Sequence, residues 1–228
     1  MARSSTPRAR KPRTAQAFTR KLLAWWSRAA RDLPWRQTRD PYRVLVSEFM
    51  LQQTQVARVA EYYPRFLARF PDLATLARAR PRAVREAWDG LGYYARAANL
   101  HALARVVSRE LDGTLPDDPA ELIELPGVGR YTAGAVATFA YEKPVPAVDT
   151  NVARVIRRVF GNAERGMGNA ELWRLASLLV PKDGKRAWKF NQAVMELGAL
   201  ICVARKPKCP QCPVREVCRT GKGSARSV

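Results

Sequence analysis

Leu122-Ile123-Glu124-Leu125-Pro126-Gly127-Val128-Gly129-Arg130-Tyr131-Thr132-Ala133 reads as helix, tight glycine turn, helix. Pro126 stops the first helix, because proline offers no amide hydrogen and clashes with the preceding turn. Gly127 and Gly129 permit positive φ and close approach of the backbone. The amides that open the second helix lack partners within it, so they can receive a phosphate. Arg130 places a cation directly after the turn. Many helical hairpins use such a turn, so its weight depends on the rest of the chain.

Working outward, the pattern is helical almost throughout. Leu100, Leu103, Val107 and Leu111 follow a helical period, as do Val148, Val152, Val155 and Val159. Prolines 34, 41, 71, 81, 116, 126, 144 and 181 punctuate these runs. No segment shows the sustained alternation of strands, and about ten helices with short connections are expected. The fold class is all-α. Residues 1–14 read as a disordered basic arm and residues 222–228 as a flexible tail. Two lobes are expected: 34–143, a helical barrel carrying the hairpin 122–136, and 15–33 with 144–221, carrying a cysteine loop at 202–218.

The 40 Lys+Arg against 20 Asp+Glu give a net charge of +20. A pI near 10.7 points to a polyanionic partner, nucleic acid first. Enough of the chain is apolar, 47%, to exclude wholesale disorder. No run approaches the ~18 apolar residues of a membrane span. The opening MARSSTPRARKPRT has no apolar core, so a secretory signal is not expected.

All four cysteines, Cys202, Cys209, Cys212 and Cys218, lie in one short segment. With no export signal, a disulfide framework is a poor reading. Four thiolates on one loop suit an iron–sulfur cluster or a structural zinc, although only Cys209 and Cys212 form the short-spaced pair usual for zinc. Between Cys202 and Cys209, Arg205, Lys206 and Lys208 can contact phosphates or simply be solvated.

Two carboxylates stand out. Glu48 is the only ionisable side chain in Val44–Leu51. Burial there raises a carboxyl's pKa and keeps a proton available near neutral pH, unless the head reaches water at the helix edge. Asp149 opens the helix Asp149-Thr150-Asn151-Val152-Ala153-Arg154-Val155. On position alone it reads first as an N-cap; a carboxylate at a helix start is also kept ionised, as an anion facing a developing cation should be. A proton donor and an anion are what breaking an N-glycosidic bond requires: one improves the leaving group and the other meets positive charge on the sugar.

Leu33-Pro34-Trp35-Arg36, Ser47–Val56, Gly90-Leu91-Gly92-Tyr93-Tyr94-Ala95-Arg96, the hairpin, the Asp149 helix, Phe190-Asn191-Gln192 and the cysteine loop together resemble the MutY-type adenine-DNA glycosylases of the helix-hairpin-helix, or endonuclease III, superfamily. The resemblance covers roughly residues 20–220 and keeps the family's motif order. It implies a [4Fe–4S] cluster on Cys202, Cys209, Cys212 and Cys218. It implies that Glu48 protonates adenine at N7 and that Asp149 stabilises the sugar cation, with Tyr131 and Asn151 orienting that carboxylate and water. Trp35, Arg36 and Gln192 match the adenine pocket. Gln53, Thr54, Leu91 and Tyr93 match residues that wedge into the duplex, and filling a vacated stack makes physical sense because flipping a base costs a few kcal/mol. Gly127, Gly129 and Arg130 match the backbone grip.

Endonuclease III-type enzymes carry a lysine nucleophile where this chain has Tyr131, so a monofunctional enzyme is expected. The compact length, Thr38-Arg39-Asp40-Pro41-Tyr42 and Arg205-Lys206-Pro207-Lys208-Cys209 also resemble the archaeal thymine/uracil mismatch glycosylases. Gln52, Gln53 and Gln192 favour adenine, whose edge an amide can pair. The Nudix-related domain usual after the MutY core is not expected in the ten residues that follow Cys218. The expected partner is double-stranded DNA with a mismatch or lesion, bound by a monomer without a membrane. The expected location is the cytoplasm, with the nucleoid, if the source is prokaryotic. A non-catalytic iron–sulfur DNA-binding module is the alternative of another class.

Overall fold

The computed structural model describes residues 13–161 and 166–223. The expected arm and tail fall largely outside them, but Arg13 and Thr14 already belong to the first helix, and the last described helix runs to Gly223. The chain divides into two compact units. One comprises residues 31–147 and 182–188; the other comprises 1–30, 148–181 and 189–228.

The first unit contains α2 (Pro41–Leu51), α3 (Val56–Arg69), α4 (Leu73–Arg78), α5 (Pro81–Ala87), α6 (Ala95–Glu110), α7 (Pro119–Leu122) and α8 (Arg130–Tyr141). Prolines initiate α2, α5 and α7, where the missing amide hydrogen costs nothing. Asp40, Asp72 and Asp118 cap their helices by accepting from Arg43 N, Thr75 N and Ala120 N at 2.7–2.8 Å. Such a cap contributes about 1 kcal/mol. Pro64 is tolerated within α3. The core stacks Trp88 edge-on to Phe66 at 5.7 Å, with Phe70 at 5.0 Å from Phe66. Leu100, Leu103 and Val107 of α6 are buried, whereas Leu111 falls beyond the helix and is 37% exposed.

The hairpin differs in detail from its expected form. α7 ends at Leu122, and the chain reaches the glycine turn through tight turns at Glu124 and Leu125. Only Gly127 adopts positive φ, +75°. A Cβ there would lie 2.6 Å from Asn99 Cβ, so glycine is needed for both conformation and space. Gly129 has φ −97° and open space where a Cβ would stand. Its value is exposure at the start of α8.

The second unit contains α1 (Arg13–Ala29), α9 (Thr150–Phe160), α10 (Asn169–Leu179), most of α11 (Gly184–Leu200) and α12 (Arg219–Gly223). Phe18 lies edge-on to Phe160 and Phe190, at 5.2 and 6.2 Å. Val152, Val155 and Val159 form the buried face of α9. The cysteine loop runs from the end of α11 to α12, through short 3-10 turns at Cys209–Gln211 and Arg215–Val217.

Candidate active site and iron–sulfur centre

In the first unit, the apolar run that forms α2 buries Glu48 to 4% exposure, between Val44, Leu45, Val46, Phe49 and Met50. The Tyr131 hydroxyl donates to Glu48 Oε2 at 2.7 Å. The packing of α8 on α2 brings this hydroxyl to Glu48, a partner that the reading of Tyr131 as an orienting residue for Asp149 and water did not include.

The turn after α2 holds Gln53 at φ +56°, exposed, with Thr54 partly buried. The turn at residues 88–94 holds Tyr93 at φ +48° and 61% exposure. A left-handed tyrosine costs on the order of 1–3 kcal/mol and persists only where its surroundings hold it. The carbonyl of Gly92 accepts from Trp88 Nε1, and that of Gly90 from Arg58 Nε. Leu91, expected to wedge with Tyr93, is turned inward and is 5% exposed. Gly92 and Tyr93 both take positive φ, so the chain reverses after Leu91 and leaves Tyr93 as the most exposed ring of the turn. Trp35 is also buried, edge-on to Tyr63 at 5.7 Å. Arg36 bonds the Arg31 carbonyl at 3.0 Å, and Arg130 is exposed at the start of α8.

In the second unit, Asp149 caps α9. Its Oδ1 accepts from Val152 N at 2.6 Å and its Oδ2 from Asn151 Nδ2 at 3.0 Å. Asn151 is held in turn by Arg154 Nη2, 2.7 Å from its Oδ1. The same guanidinium donates to Gly198 O at 2.8 Å and Cys202 O at 2.8 Å. α11 approaches closely here: a Cβ on Gly198 would lie 2.7 Å from Asn151 Cβ. Gln192 is buried on α11 at 5% exposure. Sequence reasoning missed Arg154, Gly198 and the fully buried Glu196. Glu196 carried a usable signal, since it is the only charge in Ala193–Leu197, as Glu48 is in its run.

The four cysteines line one cavity closed by Val155, Leu197 and other apolar side chains. Arg158 steadies the loop, donating to Val203 O at 2.7 Å, Ala204 O at 3.0 Å and Cys202 Sγ at 3.5 Å. Gly221 N donates to Cys218 Sγ at 3.2 Å. Burial and the neighbouring sulfurs push Cys212 up to about 11 and raise Cys218. Four thiolates can therefore coexist here only with iron or another cation to neutralise them. Among the described residues, no three His, Cys, Asp or Glu side chains are arranged to hold a single ion. Sulfurs ringing an apolar cavity, with N–H donors aimed at them, fit a cluster. Arg205, Lys206 and Lys208 are exposed on this loop.

Comparison with known proteins agrees. Residues 202–218 match the iron–sulfur binding domain of endonuclease III. The chain carries this iron–sulfur binding domain and with it a [4Fe–4S] cluster, and the four cysteines that line the cavity all fall within the matched residues. An adenine DNA glycosylase from Mycobacterium tuberculosis (strain ATCC 25618 / H37Rv) is 47% identical over 195 residues, 85% of this chain and 64% of that protein. The adenine DNA glycosylase of Rattus norvegicus is 45% identical over 215 residues, 89% of this chain and 41% of that protein. The chain thus spans about two fifths to two thirds of the length of these relatives. A solved thermostable thymine-DNA glycosylase superposes with a TM-score of 0.86 at 34% identity, over 92% of this chain and 97% of that one. Residues 46–177, more than half of the chain, match the HhH-GPD superfamily of base excision DNA repair proteins, and the chain belongs to that family.

Proposed function

We propose that this protein is a monofunctional DNA N-glycosylase that removes adenine mispaired with 8-oxoguanine or guanine. One observation carries the reading: two carboxylates are prepared in opposite ways, Glu48 buried in hydrocarbon beside a hydroxyl and Asp149 fixed by donors at a helix start. Glu48 delivers a proton to adenine N7, so the base departs neutral with the electron pair of the glycosidic bond. Asp149 meets the positive charge left on the sugar, and Asn151 and Arg154 keep it in place. Water adds at C1′ and loses a proton, which restores the enzyme. Gln192 and Trp35 contribute to recognition of the base, and Gln53, Thr54 and Tyr93 occupy the opened stack. Gly127, Gly129 and Arg130 grip backbone phosphate.

The cluster, when bound, supplies rigidity to the basic loop and no step of bond cleavage. The partner is mismatched double-stranded DNA, engaged by a monomer, in the cytoplasm with the nucleoid if the source is prokaryotic. Identities of 45–47% to adenine DNA glycosylases support the choice of base. One observation favours a second reading, thymine or uracil removal from T:G and U:G: the solved thymine-DNA glycosylase is matched over 97% of its length.

A panel of A:8-oxoguanine, A:G, T:G and U:G duplexes tests these readings. Excision of adenine alone is expected. Excision confined to T:G and U:G overturns the adenine reading, and binding without excision from any duplex overturns the enzymatic one.

A further inference from the structure

Arg96 is a buried arginine, 7% exposed, whose guanidinium is directed at main-chain carbonyls. Nη1 donates to Phe49 O at 3.0 Å, Met50 O at 2.8 Å and Gln52 O. Nη2 donates to Leu91 O at 3.1 Å and Gly92 O at 3.0 Å, and Nε to Tyr93 O at 3.4 Å. The first set closes the C-terminal end of α2, whose carbonyls have no partners in the helix. The second set belongs to the 88–94 turn. Each segment leads directly into a residue in the left-handed region, Gln53 and Tyr93. The guanidinium also lies 5.4 Å from the Trp88 ring and 5.5 Å from the Tyr93 ring.

We propose that Arg96 is a positioning residue for base extrusion: it ties the end of α2 to the 88–94 turn and so holds Gln53 and Tyr93 outward, ready to fill the stack that a flipped nucleotide leaves. The inference rests on the glycosylase reading above. A side chain can offset unstacking only if its own ordering is completed beforehand. Arginine suits this because its planar fork fixes five N–H donors; lysine has three on a mobile stem and cannot serve both segments.

The test uses Arg96→Lys, Arg96→Gln and Tyr93→Gly in the full chain with its cluster. Fluorescence of 2-aminopurine beside the target reports unstacking on binding, whether or not excision follows. Single-turnover excision is compared between a paired mismatch and the same mismatch in an unpaired bubble. The Arg96 variants should keep duplex affinity and iron content but lose the fluorescence rise. They should excise at least ~10-fold more slowly from the paired duplex, and within about 3-fold of wild type from the bubble, because extrusion is cheapest where pairing is already lost. Equal losses on both substrates, or an unchanged fluorescence rise, overturn the proposal. Should the Arg96 variants not fold, Tyr93→Gly decides: it keeps every carbonyl that Arg96 bonds and must give the same signature, and wild-type behaviour in it overturns the proposal. A wild type that removes thymine rather than adenine refutes the adenine reading, and the comparison then runs on T:G. A wild type that raises fluorescence without excising anything refutes the enzymatic reading and leaves the fluorescence arm to judge Arg96.

Discussion

Glu48 and Asp149 show two ways of preparing one functional group. Glu48 is buried at 4% exposure on an otherwise apolar helix, and a phenol hydroxyl reaches its oxygen. Asp149 is half-buried and faces N–H donors, one from the backbone of α9 and one from Asn151. The first setting keeps a carboxyl from water. The second fixes the direction of an anion. The division of labour therefore depends less on the carboxylates than on the elements that carry them: an apolar helix interior and a helix start.

The largest expected effects remove the chemistry while keeping the shapes. Glu48→Gln and Asp149→Asn should each lower single-turnover excision at least ~100-fold, with duplex affinity at fixed salt little changed, because phosphate contacts dominate binding. A sharper form uses a nucleobase analogue that departs without protonation. Glu48→Gln should then recover and Asp149→Asn should not. Recovery of both, or of neither, would show that the two carboxylates do not divide the work as argued.

Next in size is the cluster. Anaerobically purified protein should contain about four irons per chain. Stripping them should weaken duplex binding and lower the melting temperature, since the loop bearing Arg205, Lys206 and Lys208 loses its template. Unchanged affinity in the iron-free protein would detach that loop from DNA binding.

Tyr131→Phe removes one hydrogen bond to the Glu48 carboxyl. A loss of up to about 10-fold in excision is expected, since a hydrogen bond to a neutral carboxyl contributes roughly 0.5–1.5 kcal/mol. A full 100-fold loss would make Tyr131 part of the chemistry rather than a support for it. The smallest expected signal is strand cleavage. Lacking a lysine at Tyr131, the enzyme should leave an abasic site that breaks only after alkali or heat. Efficient borohydride trapping of the wild type on DNA would count against this.

The sequence made some of these features legible and hid others for physical reasons. The hairpin and the cysteine segment could be read because their residues are neighbours in the chain and their chemistry is local. Glu48 was legible because a lone charge in an apolar run is conspicuous. Arg96, Arg154 and Arg158 were not, because among 40 cations nothing local marks those that bond carbonyls about 45 residues away. The inward turn of Leu91 and the ordinary φ of Gly129 depend on backbone dihedrals that composition does not encode. The Tyr131 partner depended on the packing of α8 against α2, which no spacing in the sequence reveals.

Gly198 sets a mechanical tolerance. With 2.7 Å between its would-be Cβ and Asn151 Cβ, the gap between α11 and the first turn of α9 is narrower than a methyl group. That turn carries Asp149, so residue 198 acts as a shim under the carboxylate. Alanine, serine and threonine there form a graded series that presses on Asn151, the amide donor to the carboxylate, without altering the charge of the anion. Rate measured along that series would read out how finely the sugar cation senses the position of its counter-charge.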